Sequence, residues 1–185
     1  RFEGMGEEHD KEFCSLLNAA IRNDDPIMAP PMAVLCRGIN DKICVKDCLG
    51  DLSDPFPPEG ITYRGGGFDD AHQDFFTVGK QYRVPGFLAT SFVEDTAMHF
   101  LRTAEAYAHQ PVLWIVHVDP AGEQDATKRC KHANLIFDQY SLVPGEQEYL
   151  FSAYSIFTVR SVEWAPAGGD GAYHRIHLDA ASNNS

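Results

Sequence analysis

The 185-residue sequence predicts a single α+β domain, and three observations carry that reading. Helical periodicity dominates the start of the chain, whereas β-type runs rich in Val, Ile and aromatic residues dominate after residue 59. The two kinds of element follow one another rather than alternate, which argues against a βαβ plan. The length suits one sizeable core and is short for two. The expected division is a helical part with its connector at 1–58 and a β-rich core at 59–185.

Residues 10–22, DKEFCSLLNAAIR, place Phe13, Leu16, Leu17, Ala20 and Ile21 at helical spacing before Asp24, Asp25 and Pro26 break the pattern. A second helix is expected over about 31–40, with Met32, Leu35, Cys36 and Ile39 on one face. DLSDPFPPEG is a connector, because three prolines and a glycine forbid regular structure. ITYRGGG reads as a strand ending in a glycine loop, and GFLATSF as a second strand. EDTAMHFLRTAEAYA is a helix opened by acidic residues that suit its N-terminal dipole. PVLWIVHVDP is a buried strand stopped by proline. After the loop CKHANLIFDQYSLVPG come two or three more strands: EYLFSAYSIFTV, VRSVEWAP and YHRIHLDAA.

Composition narrows the function classes. A formal net charge of −12 argues against a nucleic-acid binder and favours encounter with basic partners. No apolar run is long enough to span a membrane, and no charged-then-apolar leader opens the sequence. The chain begins at an Arg, as an excised piece of a longer protein would. Five cysteines without a CxxC pair read as thiols of a reducing, intracellular compartment. A Cys44–Cys48 disulfide is sterically conceivable but unneeded in a domain of this size, and a zinc set of Cys44, Cys48, Cys130 and His132 has only one familiar spacing.

Three short stretches carry chemistry. In GEQEY, an extended chain would turn Glu146 and Glu148 to one face, with Cβ atoms roughly 6.5–7 Å apart. Such a pair resists double ionisation and suits a glycosidic carbon, where an oxocarbenium-like transition state needs a neighbouring negative charge. A solvated strand start reads the same way, so both readings stay open on this motif alone. In TYRGGG, Arg64 stands beside glycines that allow close approach to the main chain, and Arg matches a phosphate fork. The spacing is neither a dinucleotide-binding fingerprint nor a P-loop. In FLATSF, Thr90 and Ser91 could bond a ligand or cap the following helix. Lys80, Tyr82 and Arg83 read as a solvated face, His117 as a satisfied core histidine, Trp114 and Trp164 as core, and His174 and His177 as residues on opposite faces of the last strand.

Taken in order, Tyr63–Gly65 (YRG), Ala89–Ser91 (ATS) and Glu146–Glu148 (EQE) resemble the arginine-specific mono-ADP-ribosyltransferases of the R-S-E class, which include vertebrate ecto-enzymes and cholera-toxin-like toxins. The resemblance extends over nearly the whole chain. It implies a split, antiparallel-rich β-sandwich enclosing an NAD cleft, with NAD consumed as co-substrate and no metal required. It implies that Arg64 holds the NAD phosphates, the Gly65 backbone meets the nicotinamide carboxamide, and Thr90 and Ser91 contribute to the NAD site. Glu148 would bond the nicotinamide ribose and steady the oxocarbenium ion, while Glu146 would receive the acceptor guanidinium. A glutamate at that position goes with arginine as acceptor, and a glutamine with asparagine or cysteine. The loop from Asn134 to Gly145 would help select the target. The usual middle motif is Ser-Thr-Ser, so Ala89 replaces the serine that supports the catalytic glutamate, and Thr90 should face away from it. The expected partners are NAD and an arginine-bearing protein, with no nucleic acid or membrane, and the expected state is a monomer. Water as acceptor would make the same site an NAD glycohydrolase. Ala89 also motivates a non-catalytic interaction module, and an unrelated α+β binding domain is the remaining alternative.

Overall fold

The computed structural model describes residues 13–43, 55–106, 110–129, 132–135, 145–166 and 171–182. Two helices come first, α1 (Phe13–Arg22) and α2 (Ala29–Ile43). Eight strands and one further helix follow: β1 (Ile61–Phe68), β2 (Gln81–Arg83), β3 (Leu88–Ser91), α3 (Glu94–Ala106), β4 (Gln110–His117), β5 (His132–Leu135), β6 (Glu148–Phe151), β7 (Ile156–Glu163) and β8 (His174–Ala180). No described helix is long and apolar enough to cross a membrane.

The strands join in the order β2-β7-β8-β4-β1-β3-β6-β5. Every neighbouring pair is antiparallel except β4 with β8. The sheet is in effect two wings. β1 and β4 pair along eight residues, from Ile61 opposite His117 to Phe68 opposite Gln110. β1 meets β3 through one described pair, Tyr63 opposite Ser91. Past that pair the β1 edge has no described strand beside it, and the sheet opens. The second wing, β3-β6-β5, folds back over the first. Phe92, Tyr149 and Phe151 share one buried cluster with Val112, Val116, Phe157, Val159, Ile176 and Leu178. The Phe151 and Phe157 rings cross at 5.3 Å between centroids. This is the split, antiparallel-rich sandwich expected from the sequence.

Alternation along each strand assigns the faces. On β1, Ile61 and Tyr63 pack with Ala97 and Leu101 of α3 and with Leu113 and Ile115 of β4. Phe68 packs into the sandwich interior, so Thr62, Arg64 and Gly66 share that inner side. The helices α1 and α2 pack through Leu17, Ala20 and Met32 onto Phe87, at the entry to β3, and Leu150 of β6 lies against the same cluster. The α1 helix stops where expected: Asp24 adopts a left-handed φ of 48°, and the Asp25 carboxylate accepts the amides of Ile27 (2.9 Å) and Met28 (3.1 Å).

Several expectations need correction. ITYRGGG does not end in a glycine loop, because β1 runs through all three glycines to Phe68. EYLFSAYSIFTV is not one strand. It breaks at 152–155, where Ser155 Oγ donates to the Ser152 carbonyl (2.6 Å) and Tyr154 takes φ 65°. The halves become β6 and β7, which belong to different wings. Tyr82 is no solvated residue: it is half-buried against Phe157 and Phe76, and burial pushes its phenol well above the ordinary range. Trp164 is 36% exposed rather than core. His174 is buried and His177 half-buried, on opposite faces of β8 as expected. His174 Nδ1 accepts the Ala165 amide (2.8 Å), which leaves Nε2–H to donate to Asp70 (3.2 Å). His117 lies 3.0 Å from His177 through facing ring nitrogens. Cys44, Cys48 and Cys130 fall outside the described residues, as do 136–144 of the Asn134–Gly145 loop.

One inner-face group on β1 is unsatisfied. Thr62 is fully buried and its hydroxyl has no hydrogen-bond partner. Removing an orphaned buried hydroxyl while keeping the side-chain shape should not lower stability. Thr62→Val is expected to be neutral or to stabilise by about 1 kcal/mol in urea unfolding. A loss of more than about 1 kcal/mol would contradict the orphan assignment.

Candidate active site

The site grows out of one row of paired residues. Tyr63 on β1 stands opposite Ser91 on β3, and Ser91 stands opposite Glu148 on β6. Adjacent strands lie about 4.8 Å apart, so the register alone gathers three segments that are far apart in sequence. Arg64 follows Tyr63 and leaves β1 on the other face. Its guanidinium crosses the opening between β1 and β3 and donates from Nη1 to the Ala89 carbonyl at 2.8 Å. Arg64, the ATS segment and Glu148 therefore meet at the place where the two wings part.

The electrostatics fit a cleft. Arg64 is solvent-exposed, yet partial desolvation by the neighbouring protein is the main influence on its guanidinium and weakens its hold on the proton; Glu148 acts in the opposite sense, and Arg22 adds to the weakening. The guanidinium remains charged. Burial raises the Glu148 carboxyl above the ordinary glutamate value, Glu146 raises it further, and Arg64 opposes both. The two glutamates therefore do interact as like charges, as expected from the sequence. Their backbone is not the extended one assumed there. Strand β6 begins only at Glu148, Glu146 precedes it, and Gln147 between them takes a left-handed φ of 45°. The separation drawn from an extended chain therefore does not apply.

The hydroxyls of the ATS segment are engaged with protein. Thr90 turns away from Ala89, as expected, and its buried hydroxyl donates to the Tyr149 carbonyl at 2.7 Å. Ser91 Oγ donates to the Glu146 carbonyl at 2.6 Å and accepts the Val93 amide at 2.9 Å. The missing side chain of Gly65 also has a protein explanation. A Cβ there would lie 1.8 Å from the Ala97 carbonyl oxygen and 2.6 Å from the Leu101 amide of α3. The glycine lets α3 lie directly on β1, while the open side of the strand backbone still borders the cleft.

Arg22 is the residue that the sequence reading missed. It ends α1, four residues after Asn18 and so on the same helix face. Asn18 pins that face to the core: its Oδ1 accepts the Phe87 amide (2.9 Å) and its Nδ2 donates to the Phe87 carbonyl (3.3 Å). Arg22 is thereby held close enough for its charge to act on Arg64. The Asn18–Arg22 spacing was visible in the sequence, but nothing local tied it to Arg64. Two arginines thus lie near enough to feel one another's charge in a chain of formal net charge −12. Among the described residues, no three His, Cys, Asp or Glu side chains are placed to hold a metal ion.

No protein-family model and no curated protein matches the sequence. Solved structures do match the fold. The ADP-ribosyltransferase Vis from Vibrio splendidus, solved in complex with agmatine, is 15% identical with a TM-score of 0.63, covering 91% of this chain and 68% of that one. The ADP-ribosyltransferase toxin Plx2a from Paenibacillus larvae is 15% identical with a TM-score of 0.58, covering 92% of this chain and 81% of that one. Exoenzyme S from Pseudomonas aeruginosa, solved with human 14-3-3 protein beta and bound to carba-NAD, is 17% identical with a TM-score of 0.55, covering 90% and 66%. The chain spans about two thirds of the length of Vis and of exoenzyme S. At these identities the likeness establishes the fold: the chain has the ADP-ribosyltransferase fold.

Gly65 yields a direct test of how the site is supported. The atoms that an added Cβ would meet are helix backbone, which cannot swing aside. Gly65→Ala is expected to destabilise the protein by about 3 kcal/mol and lower the melting temperature by roughly 6–12 °C. An unchanged melting temperature would contradict the close α3–β1 approach.

Proposed function

We propose that this protein is a mono-ADP-ribosyltransferase that cleaves the nicotinamide N-glycosidic bond of NAD and transfers ADP-ribose to an arginine of a target protein. The observation that supports it most is the convergence of Arg64, the ATS segment and Glu148 where β1 and β3 part. Agmatine, an arginine-like amine with a guanidinium, is bound in a structure of Vis, and carba-NAD in one of exoenzyme S. Those contents fit the chemistry read here from the residues.

In this reading Arg64 and Arg22 hold the two phosphates, a site that rejects a neutral ligand and matches the charge of a dinucleotide. The nicotinamide carboxamide lies along the unpaired edge of β1 beginning at Gly65, where main-chain groups can meet an amide. Glu148 stands beside the nicotinamide ribose. As the bond from the ribose anomeric carbon to the nicotinamide nitrogen breaks, that electron pair leaves with nicotinamide and positive charge develops on the sugar. A carboxylate already in place stabilises that charge without reorganising. Arg64 helps keep Glu148 ionised for this task against burial and the neighbouring Glu146. The acceptor guanidinium nitrogen then bonds to the anomeric carbon, and its proton passes to Glu146. NAD is consumed in the reaction, so nothing needs to regenerate it.

The division of roles between the glutamates is tested by offering NAD with agmatine and following both nicotinamide release and ADP-ribosyl-agmatine by mass. Glu148→Gln is expected to lower both by at least about 100-fold, because the group beside the developing charge is lost. Glu146→Gln should lower transfer at least about tenfold more than hydrolysis. Equal loss of both activities in the second variant would contradict separate roles. Nicotinamide release without any agmatine product in the unmodified protein would make it an NAD glycohydrolase instead.

A further inference from the structure

We infer that Ser91 is a positioning residue that holds Glu146, and not a contact to NAD; the inference rests on the reading of Glu146 as the acceptor-side group. The geometry separates the two glutamates by how they are fixed. Glu148 is part of β6 and is paired in register with Ser91, and the ladder continues through Tyr149, Leu150 and Phe151. Glu146 lies outside every strand, beyond a residue at φ 45°. Two described contacts tie this turn to the end of β3: Ser91 Oγ donates to the Glu146 carbonyl at 2.6 Å, and the Phe92 amide donates to the Gln147 carbonyl at 3.1 Å.

A hydroxyl has one proton to give. Ser91 gives it to the Glu146 carbonyl, and one of its two lone pairs receives the Val93 amide at 2.9 Å, so its only proton and one acceptor position are taken by main chain. Ser91 is 5% exposed, which leaves little surface for a ligand. Loss of the hydroxyl therefore frees one end of the Glu146–Gln147 turn while the β3–β6 ladder keeps Glu148 in place. The acceptor side of the reaction loosens, and the NAD side stays built.

The test compares Ser91→Ala and Ser91→Thr with the unmodified protein, after melting curves confirm that each is folded. In Ser91→Ala, transfer to agmatine should fall about tenfold and NAD hydrolysis by less than about threefold, with the KM for NAD little changed. Ser91→Thr, which keeps the hydroxyl, should recover most of the transfer. The acid limb of hydrolysis should also move to lower pH in Ser91→Ala, since Glu148 loses a fixed like-charged neighbour. A residue that only stabilised the fold would lower both activities together and leave that limb in place. Parallel loss of transfer and hydrolysis in a folded Ser91→Ala protein, or no loss of either, would overturn the assignment. If the unmodified protein released no nicotinamide, the proposed function would fall, and the clasp would be judged by hydrogen exchange. Backbone amides of 145–148 should then exchange about tenfold faster in Ser91→Ala, and unchanged exchange would overturn it.

Discussion

The row Tyr63–Ser91–Glu148 is the constraint on which the cleft depends. It is the described place where the two wings of the sheet are hydrogen-bonded neighbours, and beyond it they separate. A sheet that stayed paired along β1 and β3 would bury the β1 edge and leave no room for a ligand. A sheet without the pair would have nothing to set Arg64 against Glu148. One shared position followed by divergence gives both an opening and a fixed distance across it. The Arg64 side chain spans that opening to the Ala89 carbonyl and so bridges its walls.

The parts surrounding this row share a logic: the main chain is fixed first, and the side chains at the cleft follow. Gly65 allows α3 to rest on β1 at backbone distance, which stiffens the strand that carries Arg64. Asn18 fastens α1 to the Phe87 main chain, and so places Arg22. Thr90 and Ser91 give their protons to the main chain of Tyr149 and Glu146. The apolar residues of EYLFSAYSIFTV do not form one anchoring strand. They serve two, one per wing, and their rings meet across the interior.

Much of this was legible in the sequence where local signals agree. The helices α1 and α3 and the strand β4 follow from spacing and composition, and the order of YRG, ATS and EQE pointed to the fold that the solved structures share. What was not legible has a common cause. The break at 152–155 carries no proline or glycine, because buried serines and a left-handed Tyr154 make the turn. Gln147 adopts a conformation that its residue type does not announce. The glycine at 65 was read as room for a ligand, whereas its vacancy is filled by a helix thirty residues further along the chain. Arg22 needed α1 to be docked before it could be connected to Arg64. Each of these is set by a tertiary neighbour that no window of sequence contains.

The opening beside this row is proposed to bind NAD through Arg64. That proposal is tested most directly by titrating a non-hydrolysable carbocyclic NAD analogue into the unmodified protein and into folded Arg64→Ala, with binding heat as the readout. Saturable binding is expected, weakening about 30-fold in the variant, as loss of a charged contact to a phosphate requires. Equal affinity in both proteins, or no binding to the unmodified one, would contradict it.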